Sequence, residues 1–158
     1  MYLLSTTSNE KFAEEIAGYL GTELVGREIS RFHSGEVRIQ NINKSMRDKD
    51  VYIIYSAGSS VDFELAETRL LIRACKQASA KSITLIIPFL PYARQDKKSE
   101  PREPISARLI ADLLTSLGID RVITVDLHAD QIQGFFNMPV DHLTALPLFA
   151  DYFKKKRL

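Results

Sequence analysis

The chain has one cysteine, Cys75, among its 158 residues, so no internal disulfide can form and the expected setting is a reducing one, the cytoplasm. It has no dominant charge either: 21 basic and 20 acidic residues leave a net +1. That balance argues against a nucleic-acid partner, which normally calls for a strong basic field. No run approaches the twenty or so apolar residues that a membrane span needs, so no membrane partner is expected. The opening Met1-Tyr2-Leu3-Leu4-Ser5 lacks the charged start of a secretory signal. There is no G-x-x-x-x-G-K-[ST] loop, which speaks against a P-loop nucleotide fold. The rest is ordinary for a globular domain, 45% hydrophobic and 26% charged. A chain of this length buries roughly 70% of its unfolded surface and fits one domain.

Apolar strand-like runs alternate with helix-period segments. Tyr2 to Ser5 reads as a strand, followed by a capping box from Thr7 to Glu10 and a helix through Leu20 that Gly21 stops. Arg27 to Phe32 and Glu36 to Asn41 flank Ser34-Gly35 as a hairpin or bent strand pair. Val51 to Ser56 reads as a buried strand, closed by Ala57-Gly58-Ser59-Ser60. From Val61 to Ala80 the apolar residues Phe63, Ala66, Leu70, Ala74 and Ala78 recur at helical spacing. Ser82 to Ile87 reads as a strand stopped by Pro88, Ile105 to Leu117 as a helix ended by Gly118, and Arg121 to Val125 as a further strand. Ala145 to Lys156 reads as a final helix. Its basic end, Lys154 to Arg157, complements the negative end of the helix dipole. Strands spaced by helices predict an α/β fold, a parallel sheet with helices on both faces.

Three segments carry chemistry. The loop Pro88-Phe89-Leu90-Pro91-Tyr92-Ala93-Arg94-Gln95-Asp96-Lys97-Lys98 follows a strand, is stiffened by two prolines and then turns polar. Arg94 offers a planar donor fork that suits phosphate oxygens, and Gln95 can both donate and accept; a solvated charged loop is the plainer reading until the position beyond a strand end is weighed. In Arg31-Phe32-His33-Ser34-Gly35-Glu36 a glycine turn can present Phe32 as a stacking surface, though an ordinary hairpin with a packed phenylalanine is the plainer reading. The third segment, Asp126 to Asp141, places Asp126 and His128 two residues apart directly after a strand, so strand alternation points both the same way. Open α/β sheets put their sites beyond the strand carboxyl ends, where an imidazole beside a carboxylate can hold a divalent metal directly or through water. A hydrogen-bonded structural histidine remains the alternative for that pair. His33 and His142, with no comparable partner, are read as structural.

Together these segments resemble ribose-phosphate diphosphokinase, also called phosphoribosyl pyrophosphate synthetase. The resemblance is collinear from Leu3 to about Tyr152. It is carried by Phe32-x-Ser34-Gly35-Glu36, Asp50-Val51-Tyr52-Ile53-Ile54, the run Ala74 to Ala80, Tyr92-Ala93-Arg94-Gln95-Asp96-Lys97-Lys98, Pro104-Ile105-Ser106-Ala107 and the signature from Asp126 to Asp141. It implies a three-layer parallel-sheet domain of the phosphoribosyltransferase-like kind. The implied activity is magnesium-dependent transfer of diphosphate from ATP to ribose 5-phosphate, giving phosphoribosyl diphosphate and AMP for nucleotide biosynthesis.

Carried over residue by residue, Phe32 would stack on adenine, with Ser34, Gly35 and Glu36 beside it, serving the site of an adjacent subunit. Arg94 and Gln95 would hold ATP. His128 and Arg94 would act in catalysis, and His128, Asp126 and Asp141 would stand at the metal. Ser45, Arg47, Arg102 and Gln133 match the family's regulatory phosphate or ADP site. A homo-oligomer is implied, in the family a hexamer.

The chain also departs from the family pattern. Ser34 stands where the family usually has Asp or Asn, implying a weaker or water-bridged hold on the adenine amino group. Asn137 replaces a frequent acid, and Phe63 to Arg69 differs from the usual methionine-containing helix. The family's second domain, with its acidic ribose-phosphate loop and mobile basic loop, has no counterpart among these residues. The expectation is therefore the N-terminal, ATP-binding half over residues 1–158, inactive alone. The alternatives are a non-catalytic regulatory or scaffold subunit and a free-standing nucleotide-binding module.

Overall fold

Continuous apolar runs in a chain that alternates strands with helices belong to a sheet covered on both faces. The computed structural model, which describes residues 1–156, builds four such runs and a fifth, more polar strand into one parallel sheet. They are β1 (Tyr2–Ser5), β4 (Asp50–Ile54), β5 (Ser82–Ile86), β6 (Arg121–Val125) and β7 (Val140–Leu143), side by side in that order. A separate antiparallel hairpin pairs β2 (Glu28–Arg31) with β3 (Val37–Gln40). The helices are α1 (Glu10–Tyr19), α2 (Val61–Gln77), α3 (Ser106–Ser116) and α4 (Leu146–Lys156), with a 3₁₀ turn over Asp130–Phe135. Lys154 to Lys156 close α4 as expected, while Arg157 lies outside the described residues.

The α/β expectation holds, and strand alternation divides the core. Val51, Ile53 and Tyr55 point to one face with Leu85 and Ile87, where Leu71, Ile72 and Cys75 of α2 and Ile110 and Leu114 of α3 meet them. Leu3 and Ile54 point to the other, against Ala13 and Ala17 of α1. The direction of winding changes at β1. From its end the chain passes through α1 to a parallel bridge, Leu24 with Leu3, on the free edge of the strand. It then returns through the hairpin to β4 on the opposite side. This reversal is a topological switch point, the place where open α/β sheets leave a crevice beyond the strand ends.

At three places the structure differs from the expectation. The first helix is capped by Asn9, whose side chain accepts from the Phe12 amide at 3.2 Å, and not by a Thr7–Glu10 box. Thr7 is drawn elsewhere: its amide and hydroxyl both donate to Glu67, at 2.9 and 2.7 Å. On α2 the helix read from the spacing is present, but the stripe that reveals it is not the one against the sheet. Leu65, Thr68, Leu71, Ile72 and Cys75 are buried, whereas Leu70 is 42% exposed and Ala78 is exposed. The helix carries two apolar stripes, and the one read from the spacing faces the hairpin, with the Arg31 guanidinium 3.3 Å from the Phe63 ring centroid. Finally, β7 was not foreseen. Its Val-Asp-His-Leu sequence has no burial pattern of its own, and pairing with β6 makes it a strand.

Candidate functional site

Two strand-end loops form the site. Past β5 the backbone stays tied to β6, with the Ile87 amide donating to Ile123 O at 2.8 Å and the Val125 amide to Pro88 O at 3.1 Å. Beyond these bonds the loops separate. Arg94 from one, and Asp126, Leu127 and His128 from the other, line a depression of about 180 Å³ floored by Leu90 and Ala93. That is below the roughly 300–1,000 Å³ of sites that enclose a drug-sized ligand, and suits a single phosphate group. A more open hollow of about 460 Å³, lined by Val61, Phe89, Tyr92, Arg94 and Gln95 among others, adjoins it through Phe89 and Arg94.

The first loop is held at both ends. Tyr92 adopts φ +62° and its hydroxyl donates to Asp62 on α2, a bond that raises the Tyr92 pKa. The Gln95 amide donates to Tyr92 O at 2.9 Å, and Gln95 O accepts from the Ala107 amide at the start of α3. The Gln95 side-chain oxygen accepts from the Ser106 hydroxyl, which turns the amide nitrogen outward as a donor. Arg94 is exposed and makes no ion pair among the described residues, so its donor fork is available to an anion.

The second loop departs from the expected geometry. β6 ends at Val125, and Asp126 takes φ +44°, so strand alternation does not orient Asp126 and His128. They face the same depression because the chain turns. One Asp126 oxygen accepts from the Ala145 amide at 3.1 Å just before α4, and the Asp126 amide donates to Leu143 O. The Leu127 amide donates to Nε2 of His142 at 2.9 Å. His142 was read as structural, and its place beside this loop carries no sequence signal because β7 itself has none.

Other predicted residues lie apart. Asp141 points elsewhere from β7, and both its oxygens accept from Arg121, at 2.7 and 2.9 Å. Phe32 is 49% exposed at the hairpin turn, beside Leu70, Arg73 and Ala74 of α2. The Arg38 guanidinium lies 5.3 Å from its ring centroid. Gly35 has φ +89°, and the Ser34 hydroxyl donates to Glu36 at 2.6 Å. Val61 borders the Arg94 hollow while Arg73 borders Phe32, a separation of roughly 18 Å at 1.5 Å per residue along α2. Ser45 and Arg47 precede β4, Arg102 sits at φ +71° in the loop before α3, and Gln133 lies on the 3₁₀ turn; no hydrogen bond joins them among the described residues.

Among the described residues no three His, Cys, Asp or Glu side chains gather as a metal cage. Magnesium commonly keeps several waters and takes one or two carboxylates plus substrate phosphates. Asp126 and His128 therefore fit an ion carried largely by a polyphosphate.

A family model described as the N-terminal domain of ribose phosphate pyrophosphokinase matches residues 1–118. The chain belongs to this family. A ribose-phosphate pyrophosphokinase from Fusobacterium nucleatum is 50% identical over 154 residues, covering 98% of this chain and 48% of the relative. That of Aquifex aeolicus is 49% identical over 153 residues, covering 97% and 49%. The crystal structure of phosphoribosylpyrophosphate synthetase from Mycobacterium smegmatis superposes with a TM-score of 0.95 at 42% identity, over 98% of this chain and 51% of that one. The chain thus spans about half the length of the pyrophosphokinases it matches, and its fold is phosphoribosyltransferase-like. The loop pair at β5 and β6 falls within the stretch shared with these relatives.

Proposed function

We propose that this chain provides the ATP-binding half of a ribose-phosphate pyrophosphokinase, which transfers diphosphate from ATP to ribose 5-phosphate and yields phosphoribosyl diphosphate and AMP. The observation that carries this reading is the meeting of Arg94 with Asp126 and His128 in one phosphate-sized depression at the carboxyl ends of β5 and β6. In this reading Arg94 clamps phosphate oxygens with its planar fork, and the Gln95 amide donates beside it. His128 faces the polyphosphate as a donor or metal-shell partner, with Asp126 fixing the turn behind it. Magnesium, when bound, neutralises charge across the phosphate oxygens. Diphosphate transfer needs positioning and charge stabilisation more than covalent chemistry, which suits a site without a nucleophile. Ribose 5-phosphate is assigned to a second domain. Phe32, which borders Arg73 on α2 while Arg94 shares its hollow with Val61, is assigned to a neighbouring subunit's adenine in a homo-oligomer. Asp141, held by Arg121, would join a metal site only after giving up that ion pair. Ser45, Arg47, Arg102 and Gln133 are assigned to a regulatory phosphate or ADP site assembled between chains. The compartment is taken to be the cytoplasm.

Calorimetric titration with magnesium-ATP tests the reading. The chain binds, and Arg94→Ala weakens binding roughly tenfold or more, the effect of losing a hydrogen bond to a charged group. Equal affinity of the two proteins would sink the proposal. Incubated alone with magnesium, ATP and ribose 5-phosphate, the chain forms no phosphoribosyl diphosphate; steady AMP release dependent on both substrates would overturn the half-site assignment.

A further inference from the structure

The loop that presents Asp126 and His128 has one support reaching across from β7. His142 stands opposite Thr124 in the parallel register of β6 and β7, so it lies alongside the end of the strand from which that loop departs. Its imidazole, 17% exposed, extends past that end and takes the Leu127 amide on Nε2 at 2.9 Å. Leu127 is the residue between the two candidate site residues. The other two bonds at this turn, from the Asp126 amide to Leu143 O and from the Ala145 amide to the Asp126 carboxylate, hold only its first residue. Without the imidazole, the Leu127 amide is not matched to any other acceptor recorded among the described residues.

We infer that His142 is a positioning residue of the nucleotide site: in its Nδ1-protonated tautomer it fixes the Leu127 amide and thereby the direction in which His128 faces Arg94. The tautomer follows from the donor. A backbone N–H cannot turn away, so Nε2 must carry the lone pair and the neutral ring must hold its proton on Nδ1. On that side the ring meets the side-chain amide of Gln133 at 3.3 Å and the Asp130 carboxylate at 3.6 Å, both on the 3₁₀ turn. The Gln133 nitrogen is held in place by donating to Asp130 O at 3.1 Å, so the nearest acceptor for the Nδ1 proton is the Asp130 carboxylate. The imidazole therefore packs between two segments, accepting a hydrogen bond from the site loop and turning its Nδ1 proton toward the 3₁₀ turn. A neighbour that accepts with one nitrogen and donates with the other orients a loop in the way outer partners orient ligating groups. The hydrogen bond stands on geometry alone; its importance for nucleotide binding rests on the ATP reading above.

The two layers separate experimentally. In the 158-residue chain with ¹⁵N-labelled histidine, imidazole ¹⁵N–¹H correlation spectra show His142 protonated on Nδ1 with a bare Nε2; a proton on Nε2 overturns the inference. His142→Leu removes the acceptor, moves the Leu127 amide resonance and weakens magnesium-ATP binding by roughly threefold to tenfold, the scale of one neutral hydrogen bond. His142→Gln, whose amide oxygen can stand where Nε2 stood, restores most of both. Unchanged amide resonances in β1 and β4 identify variants that keep the fold. If His142→Leu binds like the parent with the Leu127 amide unmoved, or His142→Gln is no better than His142→Leu, the positioning role is wrong. If the parent chain binds no magnesium-ATP while the tautomer is as expected, the ATP reading fails and takes the binding role of His142 with it, leaving only the hydrogen bond.

Discussion

Arg94 and Cys75 show how surroundings leave one reactive side chain poised and silence another. Arg94 is exposed and makes no ion pair among the described residues, and its value there is geometric as well as electrostatic. A lysine keeps the charge but loses the bidentate fork. Arg94→Lys is accordingly expected to recover only part of the magnesium-ATP affinity lost in Arg94→Ala, as read by titration calorimetry. Cys75 is fully buried, and burial pushes its thiol up to about 11 from an ordinary 9. It should resist alkylation at neutral pH until the chain unfolds, when labelling becomes fast. The folded state prefers the protonated thiol, so this group's contribution to stability is intact below about pH 9 and declines toward pH 11. Chemical denaturation at stepped pH measures the decline. The two residues were legible to different degrees. Arg94 could be picked out because a proline-stiffened polar loop after a strand is a recognisable place for it. The bond between Leu127 and His142 could not, because it joins residues brought together only by a strand pairing with no pattern in the sequence.

Among the elements, α2 is the most instructive. Its sequence has two stripes at helical spacing, and periodicity alone does not say which one meets the sheet. The stripe through Leu71, Ile72 and Cys75 is fully buried, while Leu70 lies on the hairpin side and is 42% exposed. Ile72→Ala is expected to cost about 2–5 kcal/mol in urea unfolding, whereas Leu70→Ala falls below about 1 kcal/mol. Comparable losses would mean the stripes have been assigned wrongly. The hairpin itself, and the strands at β1, β4, β5 and β6, were readable because apolar runs bounded by Gly, Pro and Ser leave few alternatives. The missed helix start has a simple cause. Thr7 looks like a cap by local spacing, yet a carboxylate sixty residues away engages it, and no local pattern reports that competition.

For the whole molecule, the relevant distance is that between the hairpin turn and the Arg94 loop. Phe32 borders Arg73 while Arg94 shares its hollow with Val61, so a single nucleotide held by both residues of one chain would have to bridge several turns of α2. Sites shared between subunits remove that demand. Chains carrying Phe32→Ala, mixed with chains carrying Arg94→Ala, are then expected to show a fraction of sites with parental magnesium-ATP affinity that neither population has alone; a mixture no better than its parts would return both residues to one subunit. The switch point between β1 and β4 has a different fate. Glu67 takes the Thr7 amide and hydroxyl, and Glu64 takes the amides of Gly58 and Ser60, at 2.7 and 3.2 Å. Both carboxylates are nearly inaccessible to solvent. These are the donors with which such a crevice would greet a phosphate. The protein has installed resident carboxyl groups there, two side chains that occupy the usual berth, and in the proposed function the nucleotide takes the berth two strands along the sheet.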